Sequence, residues 1–412
     1  MYKILRAGRL HVEMFETRQD MGVSAARDAA LAIREVIREK GSCHIIFAAA
    51  PSQNEFLEAL AGSDVEWERV YAYHMDEYIG LAPDAPQGFG NFLRRSLFEK
   101  VPFAGVEYLN GGADDIDAEI RRYSQILRKH PADMVFMGIG ENGHIAFNDP
   151  HVAHFDDCAL VKKVELDERC RAQQVHDGCF DAIDQVPTHA LTLTIPALVR
   201  AERIFCMVPA ATKAEAVEHT VLGEIREMVP ASILRMHEHA TLYVDADSGS
   251  RLQNVAETIT LRPLTTDDAP AVYAISSLQE VAQYMRFYRS QSVEDAKTII
   301  EEYLKDGEAW AIMQGDTLQG VFALERTEEE GVYGMSTFLA PALWGRGVTT
   351  AIMKMVKEYA EVDLRAKSLQ AHVVDVNVGS CTALRRNGFY EKEIEHFPDY
   401  EHGLIVFRYD FE

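Results

Sequence analysis

The feature that most constrains this chain is an alternation. Up to about Asp245, short apolar runs of strand length recur between amphipathic stretches: 43–50 (CHIIFAAA), 70–75 (VYAYHM), 133–140 (DMVFMGIG), 190–195 (ALTLTI), 203–210 (RIFCMVPA) and 240–247 (ATLYVDAD). A run buried on both faces and followed by a crossing helix builds a parallel sheet with helices on either side. Residues 1–245 are therefore expected to form a doubly wound, mostly parallel α/β domain. The next stretch, 246–257 (ADSGSRLQNVAE), is polar, carries a Ser-Gly-Ser turn and lacks an apolar period, so it reads as a linker.

From 258 to 412 the pattern is different. ITLRPL (259–264) is followed by helical stretches from Asp267 and from Ser292 to Lys305. Strand-like runs then come at 310–314, 318–326 and 333–339. After a Gly-containing turn, Ala351, Ile352, Met355, Val356 and Tyr359 share one helical face. Antiparallel strands ending in a strand-loop-helix unit predict a second, α+β domain.

Charge and composition limit the partners. Acidic residues outnumber basic ones 65 to 41, a net charge of −24. Such a surface repels nucleic-acid backbones and anionic lipid headgroups, so no nucleic acid and no membrane is expected. No apolar stretch approaches the roughly 18 residues that span a bilayer. Six cysteines (43, 158, 170, 179, 206 and 381) include no CxxC pair, and the start MYKILRAGRL lacks a signal-peptide core. Both point to a reducing cytoplasm.

Ionisable side chains follow two of the apolar runs directly, in Tyr73-His-Met-Asp-Glu-Tyr-Ile-Gly80 and in the segment from Phe136 to Pro150 (FMGIGENGHIAFNDP). Open α/β sheets place their ligand crevices at such strand ends. Glycines 138, 140 and 143 also suit a tight turn. A further loop, Pro51-Ser-Gln-Asn54, opens a helix after the first run, where free N–H groups and a hydroxyl attract an anion. Ser52 and Gln53 are its candidate anchors.

Together these segments resemble the glucosamine-6-phosphate deaminase/isomerase family. The likeness rests on MDEYIGL (75–81), GHIAFNDP (143–150), Lys213-Ala after the strand ending at Val208-Pro209, and PASILRMH (230–237). The related 6-phosphogluconolactonases have a loop like GHTASLFP, so residues 143–150 favour the amino-sugar branch. The resemblance implies isomerisation of a 2-amino-sugar 6-phosphate coupled to ammonia loss. It implies Asp76 as the base that moves a proton between C1 and C2, His144 as the acid-base group at the ring oxygen, and Asp149 as the residue orienting His144. Asn142 stands where well-studied deaminases have aspartate, and its amide can hydrogen-bond a substrate hydroxyl but cannot accept a proton. Lys213 matches the family's phosphate lysine. The phosphate arginine has no clean counterpart, and Arg171 is carried as its candidate. A sugar-phosphate sensor with an impaired site, or a 6-phosphogluconolactonase-like hydrolase, remain alternatives. Neither the His151/His154 nor the His237/His239 pair has a third ligand beside it, so no metal is expected.

In the second domain, Leu343-Trp-Gly-Arg-Gly-Val-Thr-Thr350 joins a strand to an amphipathic helix, converging free N–H groups on one spot. With Asn377-x-x-Ser380, Arg386-Asn-Gly-Phe389 and Ile259-Thr-Leu-Arg-Pro263, this segment resembles the GNAT-type N-acetyltransferases. The resemblance implies acetyl-coenzyme A as co-substrate, its pyrophosphate held by Gly345, Arg346, Gly347, Val348, Thr349 and Thr350, with Asn377 hydrogen-bonding on the cofactor side. Leu384 stands where many relatives place a tyrosine acid, so Ser380 becomes the candidate for protonating the thiolate. Glu325, on a strand leading toward the expected cleft, is the candidate base. The expected partners are thus a small sugar phosphate and acetyl-coenzyme A, with a homo-oligomer left open.

Overall fold

A computed structural model describes residues 3–252, 259–285, 290–396 and 401–411 of the chain, apart from the side chains of 306, 351 and 358. The chain divides into two compact units, Leu5–Asn254 and Val255–Glu412 together with Tyr2–Ile4.

The strands up to residue 244 are β1 (Lys3–Ala7), β2 (Leu10–Met14), β3 (Cys43–Phe47), β4 (Val70–His74), β5 (Asp76–Tyr78), β6 (Gly105–Glu107), β7 (Met134–Met137), β8 (Val161–Glu165), β9 (His189–Leu193), β10 (Arg203–Val208) and β11 (Ala240–Val244). The helices are α1 (Arg18–Lys40), α2 (Asn54–Ala61), α3 (Phe89–Leu93), α4 (Ile116–Lys129), α5 (Glu168–His176), α6 (Ile195–Val199) and α7 (Ala214–Leu222). The main sheet of the first unit runs β2-β11-β10-β7-β3-β4-β6, and every pairing in that series is parallel. Val12, Ile45, Val135, Cys206 and Leu242 are wholly buried, as a sheet covered on both faces requires. Helix α1 begins where the Thr17 hydroxyl accepts from Asp20 N, ends at Gly41 in the left-handed region, and buries a stripe that includes Ala25, Ala29 and Ile33.

Two parts of this unit differ from the sequence expectation. The run 190–195 does not join the main sheet: β9 lies between β5 and β8 in a separate antiparallel sheet, with Asp76 opposite Thr192. Its apolar side chains are buried just as a central strand's would be, so periodicity alone could not tell the two placements apart. The start of the expected linker, 246–252, is also folded. Ser248 N donates to Asp245 Oδ1 (2.8 Å), Asp245 N donates to Ser248 Oγ (3.1 Å), and Ser248 and Leu252 are fully buried. Those polar residues make a capped turn rather than a spacer. Residues 253–257 of the expected linker, and position 258, lie outside the described residues.

The second unit contains β12 (Ile259–Pro263), α8 (Ala269–Ser276), α9 (Gln279–Ala282), α10 (Val293–Asp306), β13 (Gly307–Gln314), β14 (Thr317–Arg326), β15 (Val332–Leu339), α11 (Val348–Val362), β16 (Ser368–Val374), α12 (Val378–Arg386), β17 (Tyr390–Glu395) and β18 (Leu404–Asp410). Strands β12 to β15 form an antiparallel series, β15 and β16 are parallel, and β18 and β17 complete the order β12-β13-β14-β15-β16-β18-β17. Alternation along β14 sends Phe322 and Leu324 into a core with Ile352 and Val356 of α11, and Val321 and Ala323 into a core with Val272 of α8 and Ile300 of α10. The parallel pairing of β15 with β16 runs only from Val332↔Ser368 to Met335↔Ala371. Beyond Met335 the two strands part, which opens the sheet at their carboxyl ends.

Candidate active sites

In the first unit, four loops leave the carboxyl ends of parallel strands and meet at one cleft. Its lining includes Ser52 and Gln53 after β3, Asp76 after β4, Gly138, Gly140 and His144 after β7, and Lys213 after β10. Adjacent parallel strands β3, β7 and β10 place these loops side by side, as expected where ligands bind in open α/β sheets.

Asp76 is 6% exposed. Burial, reinforced by the neighbouring Glu77 carboxylate, pushes its carboxyl well above the usual carboxylate range. His144 is also buried, and its Nδ1 lies 3.0 Å from Asp149 Oδ1. Asp149 is wholly buried. Burial alone would raise its carboxyl, but contacts from His144, Asn142 Nδ2 (2.9 Å) and Asp167 N (3.2 Å) hold it below its ordinary value. Gly140 is required here, because a Cβ at that position would sit 2.2–2.4 Å from three atoms of the His144 ring. Ala146, two residues on, takes a left-handed φ of 51° that alanine rarely adopts, so the loop holding His144 is conformationally costly.

Asn142 does not line the cleft. Its Oδ1 accepts from His144 N (3.0 Å), and its Nδ2 donates to both Asp149 Oδ1 and Asp167 Oδ2 (2.9 Å each). The expected hydrogen bond from Asn142 to a substrate hydroxyl is therefore replaced by a positioning role behind the histidine. A neutral amide suits that place, since it bridges two carboxylates that a third carboxylate would repel.

Lys213 is 4% exposed, and among the described residues its Nζ meets no hydrogen-bond acceptor. Burial lowers its ammonium from the usual range, opposed in part by Asp177 and Glu141. The chain reaches it through Ala210, at φ 84°, whose N–H donates to the Asp245 carboxylate. A buried ammonium facing a cleft without a partner is a place for an anion.

Arg171 is not part of this cleft. Its Nη2 donates to the carbonyls of Ile183 (2.6 Å) and Val186 (3.0 Å), fastening the loop before β9. Helix α5 turns Cys170, Gln173, Gln174 and Asp177 inward at i, i+3, i+4 and i+7, and three of these, Gln173, Gln174 and Asp177, line the cleft. Helical spacing counted from a buried Cys170 would have found them, but they belong to no motif.

Two sets of ligand-type side chains come together in this region: His144, Asp149 and Cys170, and Asp149, His151 and Asp167, the ligand atoms of each lying within 4.8 Å of one another. Of the histidines paired in the sequence, His151 thus does have acidic side chains beside it, brought from Asp149 and Asp167 by the fold, and its Nε2 also meets Glu165 O (3.1 Å), whereas His237 Nε2 meets Ala201 O (2.8 Å).

In the second unit, Gly345 (φ 68°) and Gly347 (φ 76°) turn the loop after β15 into α11, with Gly347 as its N-cap. Trp344 Nε1 anchors the loop on Leu339 O at 2.9 Å. Val348 is buried in the core, so its contribution at the helix start is the amide; Arg346 and Thr349 are half-buried and Thr350 is exposed. The first amides of α11 have no intrahelical partner. Asn377 is the N-cap of α12, its Oδ1 accepting from Ser380 N (3.1 Å). It follows β16 at the same end of the sheet as the Gly345–Thr350 loop. Leu384 is buried in the core.

The structure does not bring Glu325 to this loop. It pairs with Gly334, five residues before Leu339, so it lies roughly 16 Å along the strands from the loop. By alternation it also points to the sheet face that packs on α8 and α10, opposite α11.

Comparison with known proteins agrees with this architecture. Residues 16–243, more than half of the chain, match the family described as glucosamine-6-phosphate isomerases/6-phosphogluconolactonase, and residues 258–390 match an acetyltransferase (GNAT) domain. A glucosamine-6-phosphate deaminase of Streptococcus sanguinis is 33% identical over 223 residues, 53% of this chain and 93% of that protein. One from Streptococcus pneumoniae is 35% identical over 222 residues, 53% and 92% of the respective chains. Among solved structures, a monomeric glucosamine-6-phosphate deaminase superposes with a TM-score of 0.53 at 29% identity, covering 58% of this chain and 98% of its own. A 6-phosphogluconolactonase from Trypanosoma cruzi, at TM-score 0.50 and 14% identity over 60% of this chain and 99% of its own, shares the fold. No helix among the described residues is long and apolar enough to cross a membrane.

Proposed function

Because the chain belongs to the glucosamine-6-phosphate isomerase/6-phosphogluconolactonase family and carries a GNAT domain in the same polypeptide, we propose that it is a bifunctional enzyme of amino-sugar phosphate metabolism. The first unit converts glucosamine 6-phosphate and water to fructose 6-phosphate and ammonia. The second transfers an acetyl group from acetyl-coenzyme A to an amine.

The observation that carries the first half is one cleft holding three groups together: a buried carboxyl at Asp76, the His144–Asp149 pair, and an unpartnered ammonium at Lys213. Lys213 and the Ser52 hydroxyl hold the sugar's phosphate; Gln53, expected beside them, is instead a positioning residue, its backbone N–H donating to Ala50 O (2.9 Å) and its Nε2 to Ser52 Oγ and Met207 O (3.1 Å each). His144, oriented through Nδ1 by Asp149, uses Nε2 to protonate the ring oxygen and open the pyranose. Asp76 then takes the proton from C2. Its raised pKa brings it nearer to working pH, which suits a carboxylate asked to remove a proton from carbon. Returning that proton to C1 leaves an imine at C2. Water adds there and ammonia departs. Relatives 33–35% identical over this unit carry the deaminase name, which favours this reading over a lactonase.

For the second half, the fit to acetyl-coenzyme A rests on Gly345, where an added Cβ would meet nothing within 4 Å, on the start of α11, and on the parting of β15 from β16. Backbone amides of Gly345–Thr350 take the pyrophosphate, aided by Arg346. Acetyl-coenzyme A supplies the thioester. Ser380 and Asn377, at the same end of the sheet, are the side chains available to the leaving thiolate.

A coupled ammonia assay with glucosamine 6-phosphate tests the first activity, and thiol release from acetyl-coenzyme A with amino-sugar phosphates tests the second. Absence of ammonia from every amino-sugar 6-phosphate would refute the first half. Thiol release with peptide amines alone would remove amino sugars from the second.

A further inference from the structure

The phosphate end of the cleft has an unusual charge balance. Besides His144, the ionisable groups lining the cleft among the described residues are Asp76, Asp177 and Lys213, so the only lysine or arginine among them is Lys213. Arg171 is spent on the backbone of Ile183 and Val186, and Arg169 is exposed beside Glu215 (3.5 Å). On the opposing side, Asp177 at the end of α5 lines the cleft, its Oδ2 accepting from Gln173 Nε2 (3.2 Å). Asp177 also acts on the buried Lys213 ammonium more strongly than the other acidic neighbour, Glu141. The remaining groups around it are His176, which pairs with Glu141 (3.6 Å), the thiols of Cys170 and Cys179, and the amides of Gln173 and Gln174. With the Asp177 carboxylate on the cleft wall and Glu141 also acting on the one cation, this end carries no net positive charge.

A phosphate monoester near neutral pH is mostly a dianion, its second pKa being about 6. Set against Lys213 alone, one of its charges would be compensated and the other would face Asp177. A monoanion removes that conflict, because its O–H can donate to the carboxylate. Building on the sugar-phosphate reading given above, we propose that Asp177 makes this site select the singly protonated phosphate, whose O–H donates to the Asp177 carboxylate while Lys213 and Ser52 donate to its other oxygens. Asp177 is thus a specificity residue: it ties substrate affinity to pH and disfavours permanently dianionic ligands.

The consequence is proton uptake on binding. Glucitol 6-phosphate is a suitable probe, having neither an amine to titrate nor a carbonyl to isomerise. Calorimetric titration of the full chain at pH 7.5, in two buffers of different ionisation enthalpy, should record about one proton taken up per ligand. Affinity should weaken about tenfold from pH 7 to pH 8. In Asp177→Asn, which preserves the acceptor for Gln173, uptake should fall to less than half and the affinity at pH 8 should improve about tenfold. Uptake that persists unchanged in Asp177→Asn would assign the proton to Lys213, His144, His176 or Asp76 and overturn the proposal. Binding by the unmodified chain without uptake overturns it too, while leaving the sugar-phosphate reading intact. No binding at any pH would overturn both.

Discussion

The two units hold their reactive groups in opposite ways. In the first, the chemistry rests on side chains withdrawn from water: Asp76, His144, Asp149 and Lys213 are all buried, and the loops that carry them include Ala146 and Ala210 at positive φ. In the second, the cofactor loop is a backbone device. Two left-handed glycines aim amides at one spot, and the nearby Asn377 is engaged in capping a helix. Burial makes the first site chemically potent and costly in stability. The second should be cheaper to keep and more tolerant of side-chain change.

The most severe test of this contrast is Asp76→Asn. Ammonia release should fall by about 10⁴-fold, the upper end for a single acid-base group, while acetyl transfer is unchanged. The same variant should be more stable at neutral pH. Because burial raises the folded-state pKa of Asp76, its contribution favours folding at acid pH and is lost as pH rises through that raised value. Removing the charge should add about 1–3 kcal/mol to unfolding stability at pH 7, read by denaturant titration. A variant both inactive and less stable would break the comparison.

Next is His144→Gln, expected to lower turnover about 10²- to 10⁴-fold with the fold retained. Deamination at the normal rate would remove His144 from the mechanism. Lys213→Met should raise KM for the sugar phosphate about 10- to 100-fold, as loss of a charge-assisted hydrogen bond does. Its burial lowers the ammonium pKa, so the stability penalty it carries grows as pH falls from the ordinary lysine range and is complete once pH is below the lowered value. Methionine should therefore bring its largest gain in thermal midpoint on the acid side. The mildest effect belongs to the second unit. Gly347→Ala must adopt φ near 76°, costing about 1–2 kcal/mol locally, and should raise KM for acetyl-coenzyme A several-fold without touching ammonia release.

How much of this was legible beforehand follows a physical line. The runs 43–50, 70–75, 133–140, 203–210 and 240–247 became β3, β4, β7, β10 and β11, because long apolar segments buried on two faces have few alternatives. β2, with the sequence LHVEM, alternates polar and apolar residues and gave no comparable signal. At the first site, residues attached to strand ends (Ser52, Gln53, Asp76, His144 and Lys213) could be placed from their motifs. What escaped depended on rotation or register. Arg171 and Gln174 are three residues apart on α5, yet only the latter faces the cleft. Asn142 sits behind His144 rather than on the cleft wall, and the distance of Glu325 from the Gly345–Thr350 loop depends on strand register, which is invisible without partners.

The pairing of β2 with β11 also bears on how the chain is made. Met14 is aligned with Val244, about 230 residues later. At synthesis rates of roughly 5–20 residues per second, β2 and the helix after it wait on the order of ten to fifty seconds for their neighbour to leave the ribosome. β1 waits longer still, Lys3 being aligned with Thr260, whereas β13 to β15 meet their partners in sequence order. The nascent amino-terminal segment is therefore the part most dependent on chaperones, and codon changes that slow translation before residue 240 should lower the yield of soluble protein.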